Sequence, residues 1–118
     1  MGALILTSFD IKLKGIDYAV SRALKVARED TDAVYVTVCS DALDVSTNPG
    51  GPPDFNGLTS FEMSLLLHRI ASAGINGFDF VEIYPPSDPN NVSSHLAVWM
   101  TLYALSGITC AKMGYKSI

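Results

Sequence analysis

Cys39, Asp41 and Asp44 stand in one short run, Thr37-Val38-Cys39-Ser40-Asp41-Ala42-Leu43-Asp44. It follows the apolar, β-branched residues Val34 and Val36. A buried strand whose carboxyl end carries Asp side chains is where open α/β sheets place ligand and metal chemistry. Magnesium, calcium and manganese favour carboxylate oxygens, so an Asp pair at such a point is a candidate metal site. Cys39 is the odd member, because a hard-metal site would hold a second carboxylate two residues before Asp41. A further acid, Glu82, lies among Phe80, Val81 and Ile83. Burying it unpaired is costly, so it either finds a partner or turns outward at a strand end.

The elements that must position these groups follow from periodicity. Residues 4–7 form a short apolar run that reads as a strand, and residues 10–15 read as a turn. Ile16, Ala19, Val20, Ala23, Leu24 and Ala27 recur at helical spacing and predict a helix over 16–28. Residues 34–38 are nearly all apolar, which predicts a parallel strand covered on both faces. Residues 46–57 are a Pro/Gly/Asn loop, long enough to suggest function. Thr59 or Ser60 caps the next helix, with Glu62 in its first turn and Phe61, Leu65, Leu66 and Ile70 as its apolar side, ending at Gly74. Phe78, Phe80, Val81 and Ile83 mark another buried strand. Ser93 or Ser94 caps a last helix to about Leu105, with Trp99 and Tyr103 as core residues. This alternation predicts an α/β sandwich on a mainly parallel sheet of three strands, in a single domain over residues 1–118.

Bulk properties narrow the classes. The 118 residues are 48% hydrophobic and 17% charged, which fits a folded domain rather than a disordered chain. A net charge of −4 with eight scattered basic residues argues against nucleic acid as a partner. Cys39 and Cys110 lack metal-finger or redox spacing and read as reduced thiols of a cytoplasmic protein. Met1 opens no signal-peptide pattern. The apolar run 96–105 is flanked by His95 and Ser106 and interrupted by Thr101, so it falls short of the ~20 residues a membrane span needs. His68 and His95 have no ligand spacing to an acid.

Residues 34–59 resemble the signature of the ureohydrolase family, which comprises arginases, agmatinases, formimidoylglutamases and relatives. That signature is Ser-x-Asp-x-Asp-x-x-Asp-Pro, then Pro-Gly or Pro-Ala, then Gly-Leu-Thr opening a helix. Here Cys39-Ser40-Asp41-Ala42-Leu43-Asp44 is followed by Pro49-Gly50 and Gly57-Leu58-Thr59. The block Gly77-Phe78-Asp79-Phe80-Val81-Glu82, with Pro86 and Asp88-Pro89 after it, is similar to a second family block. Phe9-Asp10-Ile11-Lys12-Leu13-Lys14-Gly15-Ile16 resembles the segment before the helix that precedes the signature strand.

The resemblance implies a three-layer α/β/α fold of which this chain is the carboxyl-terminal part. It implies hydrolysis of a carbon–nitrogen bond in a small linear amidine or guanidino substrate, by hydroxide bridging two manganese ions. Asp41 matches the second metal ligand, and Cys39 takes the position of the bridging Asp. Asp44 matches a loop-supporting Asp, and Glu82 the acid that pairs with the substrate cation. The loop 48–56 and the region 93–95 would tune the substrate. The upstream His and Asp-x-His-x-Asp ligands have no counterpart in these residues.

Cys39 has three readings: an inherited variant in a subfamily with one metal or none, a thiolate suited to zinc or iron, or a small buried space-filler. A nucleophilic role would need a His in reach. The alternative to an enzyme is an inactive homologue serving as an assembly or regulatory subunit. An unpaired apolar strand edge invites association, so a homo-oligomer or a complementary chain supplying the amino-terminal half is expected, and no membrane.

Overall fold

The computed structural model describes residues 3–118. In chain order its elements are α1 (Ser8–Lys14), α2 (Ile16–Ala27), β1 (Tyr35–Cys39), α3 (Ser60–Ser72), β2 (Gly77–Val81) and α4 (Val92–Met113). β1 and β2 pair in parallel, from Tyr35 opposite Gly77 to Cys39 opposite Val81. Parallel neighbours require a crossover, and α3 makes it.

Among the described residues the sheet has two strands, not the three expected. Residues 4–7 stay unpaired and lead into α1. Thr7 and Asp10 close a capping box there, with the Asp10 N–H donating to Thr7 Oγ1 and the Thr7 N–H to Asp10 Oδ2, both at 3.1 Å. The local box converts the expected turn into a helix that stops at Gly15, whose φ of +90° suits glycine.

Alternation along the strands separates two faces. Val38 joins the core with Leu43, Leu58, Met63, Leu67 and Met100, and Val36, Phe78 and Phe80 pack against it. The other face carries Tyr35, 65% exposed, and Thr37, both of which donate hydroxyl hydrogen bonds to Asp79. β1 is therefore covered on one face only, which corrects the expectation of two.

The α3 cap is as expected. Glu62 N–H donates to Thr59 Oγ1 at 3.2 Å, Thr59 N–H returns to Glu62 Oε2 at 2.8 Å, and Lys12 Nζ adds an ion pair at 3.0 Å. The buried side differs from the predicted one. α3 buries Met63, Ser64, Leu67, His68 and Ala71, while Phe61 is 73% exposed. The helix is apolar on several sides, and α4 selects which of them is covered.

α4 is capped by Asp88 rather than by Ser93 or Ser94. Its carboxylate accepts the N–H groups of Ser93 and Ser94 and the Ser94 hydroxyl, each at 2.8 Å. The helix runs on past Leu105 to Met113, and Trp99 is 60% exposed rather than in the core. With that extension the segment Pro89–Met113, which holds an 18-residue window of mean hydropathy 1.3, is long and apolar enough by length and composition to cross a membrane, contrary to the shorter run expected. One side of it lies on α3 through buried Met100, Ala104 and Gly107. A Cβ on Gly107 would stand 2.4 Å from the His68 carbonyl oxygen, so the two helices approach at backbone contact.

Candidate functional site at the strand ends

Asp41 follows β1 in a short 3₁₀ turn, Ser40–Ala42, and Glu82 follows β2 directly. Because the strands are parallel and in register, their carboxyl ends coincide, and the acids come to one edge of the sheet. Ser40 is fully buried, and its hydroxyl donates to the Glu82 carbonyl, tying the two strand ends together. Its own carbonyl accepts Asn48 Nδ2 at 3.0 Å, and Asn48 is 2% exposed. Asn48 thus pins the long loop under the site.

Glu82 holds φ at +65°, a region that side-chain-bearing residues rarely enter. Its carboxylate is exposed and accepts the Tyr84 hydroxyl. That bond and the Glu82 charge push the Tyr84 phenol up to about 12, so Tyr84 remains a donor at every ordinary pH. The strained backbone turns Glu82 out of the apolar run that surrounds it in sequence.

Asp41 Oδ1 is buried and has no hydrogen-bond partner. A buried carboxylate oxygen with its lone pairs unused calls for a cation or a donor. Cys39 lies beside it. Burial pushes the Cys39 thiol up, and the Asp41 and Glu82 charges add to that against an opposing Asp41 backbone N–H. Sulfur is a soft donor and a poor match for manganese, which favours carboxylate oxygen. Among the described residues no three His, Cys, Asp or Glu side chains converge as a ligand set. The strand end offers the Asp41 carboxylate and the Cys39 sulfur, which do not by themselves fit a two-manganese centre.

Asp44 lies in the loop and takes no place beside Asp41. Its carboxylate accepts Ser46 Oγ at 2.6 Å, Ser46 N–H at 3.0 Å and Asn56 N–H at 2.9 Å, and the Ser46 bonds hold it below the usual carboxylate range. It closes the loop on itself. A cleft of about 320 Å³ opens between that loop and α1, lined by Leu6, Ser8, Ile11, Asp41, Asp54 and Asn56 among others. A larger one, about 450 Å³, lies between α3 and α4, away from the acids.

Sequence reading missed Ser40, Asn48, Tyr84 and Asp88 as organisers of this edge. Only Asp88 had a local signal, an acid five and six residues ahead of Ser93 and Ser94. Ser93 Oγ in turn accepts the Gly50 N–H at 3.0 Å, and a side chain on Gly50 would meet it at 2.9 Å. The loop, Asp88 after β2 and the start of α4 therefore meet at one close-packed point.

Comparison with known proteins gives the arrangement a family. The family model of the arginase family matches residues 1–107. An arginase from Bacillus caldovelox is 32% identical over 99 residues, covering 82% of this chain and 33% of the relative. An agmatinase from Escherichia coli is 29% identical over 114 residues, covering 96% and 36%. The crystal structure of formimidoylglutamase from Bacillus subtilis superposes with a TM-score of 0.85 at 30% identity, covering 91% of this chain and 34% of that one. The chain spans about a third of the length of the curated relatives it matches. Its parallel strands and packed helices are part of the arginase-like α/β fold, and the chain belongs to the arginase family.

Proposed function

We propose that this chain carries the strand-end portion of a hydrolase acting on carbon–nitrogen bonds of small linear amidine or guanidino compounds. The relatives are named for three activities, arginase, agmatinase and formimidoylglutamase, and the proposal takes the chemistry those names share. The observation that carries it is the unpartnered, buried Asp41 Oδ1 at one strand end with exposed Glu82 at the next. Asp41 would be a donor to manganese. Glu82, steadied by Tyr84, would accept hydrogen bonds from the planar cation of the substrate. The donors missing here would come from a complementary polypeptide carrying the rest of the fold.

The test is an assay of urea, ammonia and formamide release from arginine, agmatine and formimidoylglutamate with manganese. The chain alone is expected to give no turnover. Co-expressed with the first two-thirds of an arginase-family enzyme, it is expected to give turnover of one substrate that Asp41→Asn abolishes. A folded complex inactive on every substrate, both with Cys39 and after Cys39→Asp, would overturn the proposal and leave an assembly or regulatory subunit. Activity that appears only after Cys39→Asp would support the geometry and assign the loss of chemistry to Cys39.

A further inference from the structure

Tyr84 is joined to the strand-end site by a bond that lies outside the core. Glu82 and Tyr84 are both exposed, and the Tyr84 hydroxyl donates to Glu82 Oε2. Neither side chain packs in the apolar cluster beneath the sheet. Their backbones are nevertheless held at both ends of the bond. The Glu82 carbonyl accepts the buried Ser40 hydroxyl, and Glu82 keeps its unusual φ of +65°. Tyr84 precedes Pro85 and Pro86, whose rings fix φ and restrict the residue before them. The Ser87 N–H closes the turn on the Tyr84 carbonyl at 3.0 Å. A stiff turn thus carries the phenol to the carboxylate. Backbone strain that serves an exposed polar contact points to function rather than to packing.

We propose that Tyr84 is a positioning residue for substrate binding: it fixes the Glu82 carboxylate through Oε2 and leaves Oε1 as the oxygen that meets the substrate cation. This deepens the hydrolase reading above and rests on it. A free glutamate turns about three side-chain torsions, and a substrate that must order them binds more weakly. The phenol does that ordering in advance. It also takes one lone pair of Oε2, so a planar amidinium or guanidinium finds Oε1 unoccupied and Oε2 already bonded. The ordering serves bound substrate and transition state alike, so its loss raises KM and leaves kcat nearly unchanged.

Two measurements test this. The first needs neither a partner nor activity. Tyrosinate absorbance of the parent chain, less that of Tyr84→Phe, should show one phenol ionising at about 12. Glu82→Gln should bring that phenol back towards its ordinary 10.0. A phenol that ionises at the same pH with and without the Glu82 carboxylate would overturn the proposal, whatever the chain hydrolyses. The second uses the chain co-expressed with the first two-thirds of an arginase-family enzyme. In an active complex, Tyr84→Phe should raise KM about two- to tenfold with kcat little changed. A fall in kcat at unchanged KM, or no change in either, would overturn the positioning role and leave the hydrolase reading standing. In a folded complex that hydrolyses nothing, the hydrolase reading fails and calorimetric binding of agmatine, arginine and formimidoylglutamate decides. Binding weakened by Tyr84→Phe would then support the positioning role, and equal or absent binding would overturn it.

Discussion

At the scale of single residues, Cys39 and Asp41 share a crowded strand end that disfavours a negative charge on the Cys39 sulfur. Burial and the carboxylates of Asp41 and Glu82 all disfavour the Cys39 thiolate. The thiolate is the reactive form, so raising the thiol above its ordinary value lowers the reactive fraction at any pH below it. In a Cys110→Ser background, alkylation of Cys39 by iodoacetamide at pH 8 should be several-fold slower than that of a free thiol, with a rate still climbing above pH 9. Asp41→Asn removes one opposing charge and should speed the reaction several-fold. Equal rates in the two proteins would show that the carboxylate does not act on the thiol. Asp41 and Glu82 were legible in the sequence because an acid that ends an apolar strand run is conspicuous. Asn48 and Ser40 were not, since their worth lies in a hydrogen bond across eight residues and another across 42.

At the scale of elements, the caps and the α3–α4 contact decide where helices start and which faces they bury. Burial pushes the Asp88 carboxyl up, but the Ser93 and Ser94 donors outweigh it and leave it below its ordinary value of 3.8. Burial likewise raises Glu62, and Thr59 and Lys12 bring it below 4.5. Both folded values are depressed, so the stability they confer is fully present above pH 5 or so and is lost as pH falls through the ordinary carboxylate range. The melting temperature should therefore drop between about pH 5 and pH 3. Asp88→Asn, melted across the same range, should lower the plateau and flatten that drop; an unchanged acid limb would count against the cap. Gly107 gives an opposite-sign test of packing. Alanine is the better helix former by up to about 1 kcal/mol, yet its Cβ would stand 2.4 Å from the His68 carbonyl oxygen and 2.7 Å from the Ala71 Cβ. Overpacking of this kind costs about 1–3 kcal/mol, so Gly107→Ala should destabilise the chain in urea titration despite its propensity. The start of α3 was legible because its capping box lies within four residues. Its buried face was not, because Leu65, Leu66 and Leu67 offer an apolar side in several directions and Gly107, far along the chain, settles the choice. α1 was missed for a related reason: Thr7 and Asp10 form a box as local as that of α3, but Phe9, Ile11 and Leu13 recur at a spacing of two rather than at helical spacing.

At the scale of the whole molecule, the alternation of strands and helices was enough to read an α/β fold on a parallel sheet. It could not show which face of the sheet and which face of α4 stand open, because that depends on how α3 and α4 pack rather than on local spacing. A radius of gyration of 14.3 Å, against about 13.5 Å for a compact domain of this length, fits that open shape. Faces left open in this way invite association, and an assembly that forms only from folded chains makes melting concentration-dependent. If two chains associate, then with some 2.1 cal/mol/K of unfolding entropy per residue a hundredfold rise in concentration should raise the melting temperature by about 5 °C. Scans at about 2 and about 200 µM read this directly. A melting temperature that ignores concentration would mean that these apolar faces meet solvent in the folded state, with no partner to offset the cost of exposure.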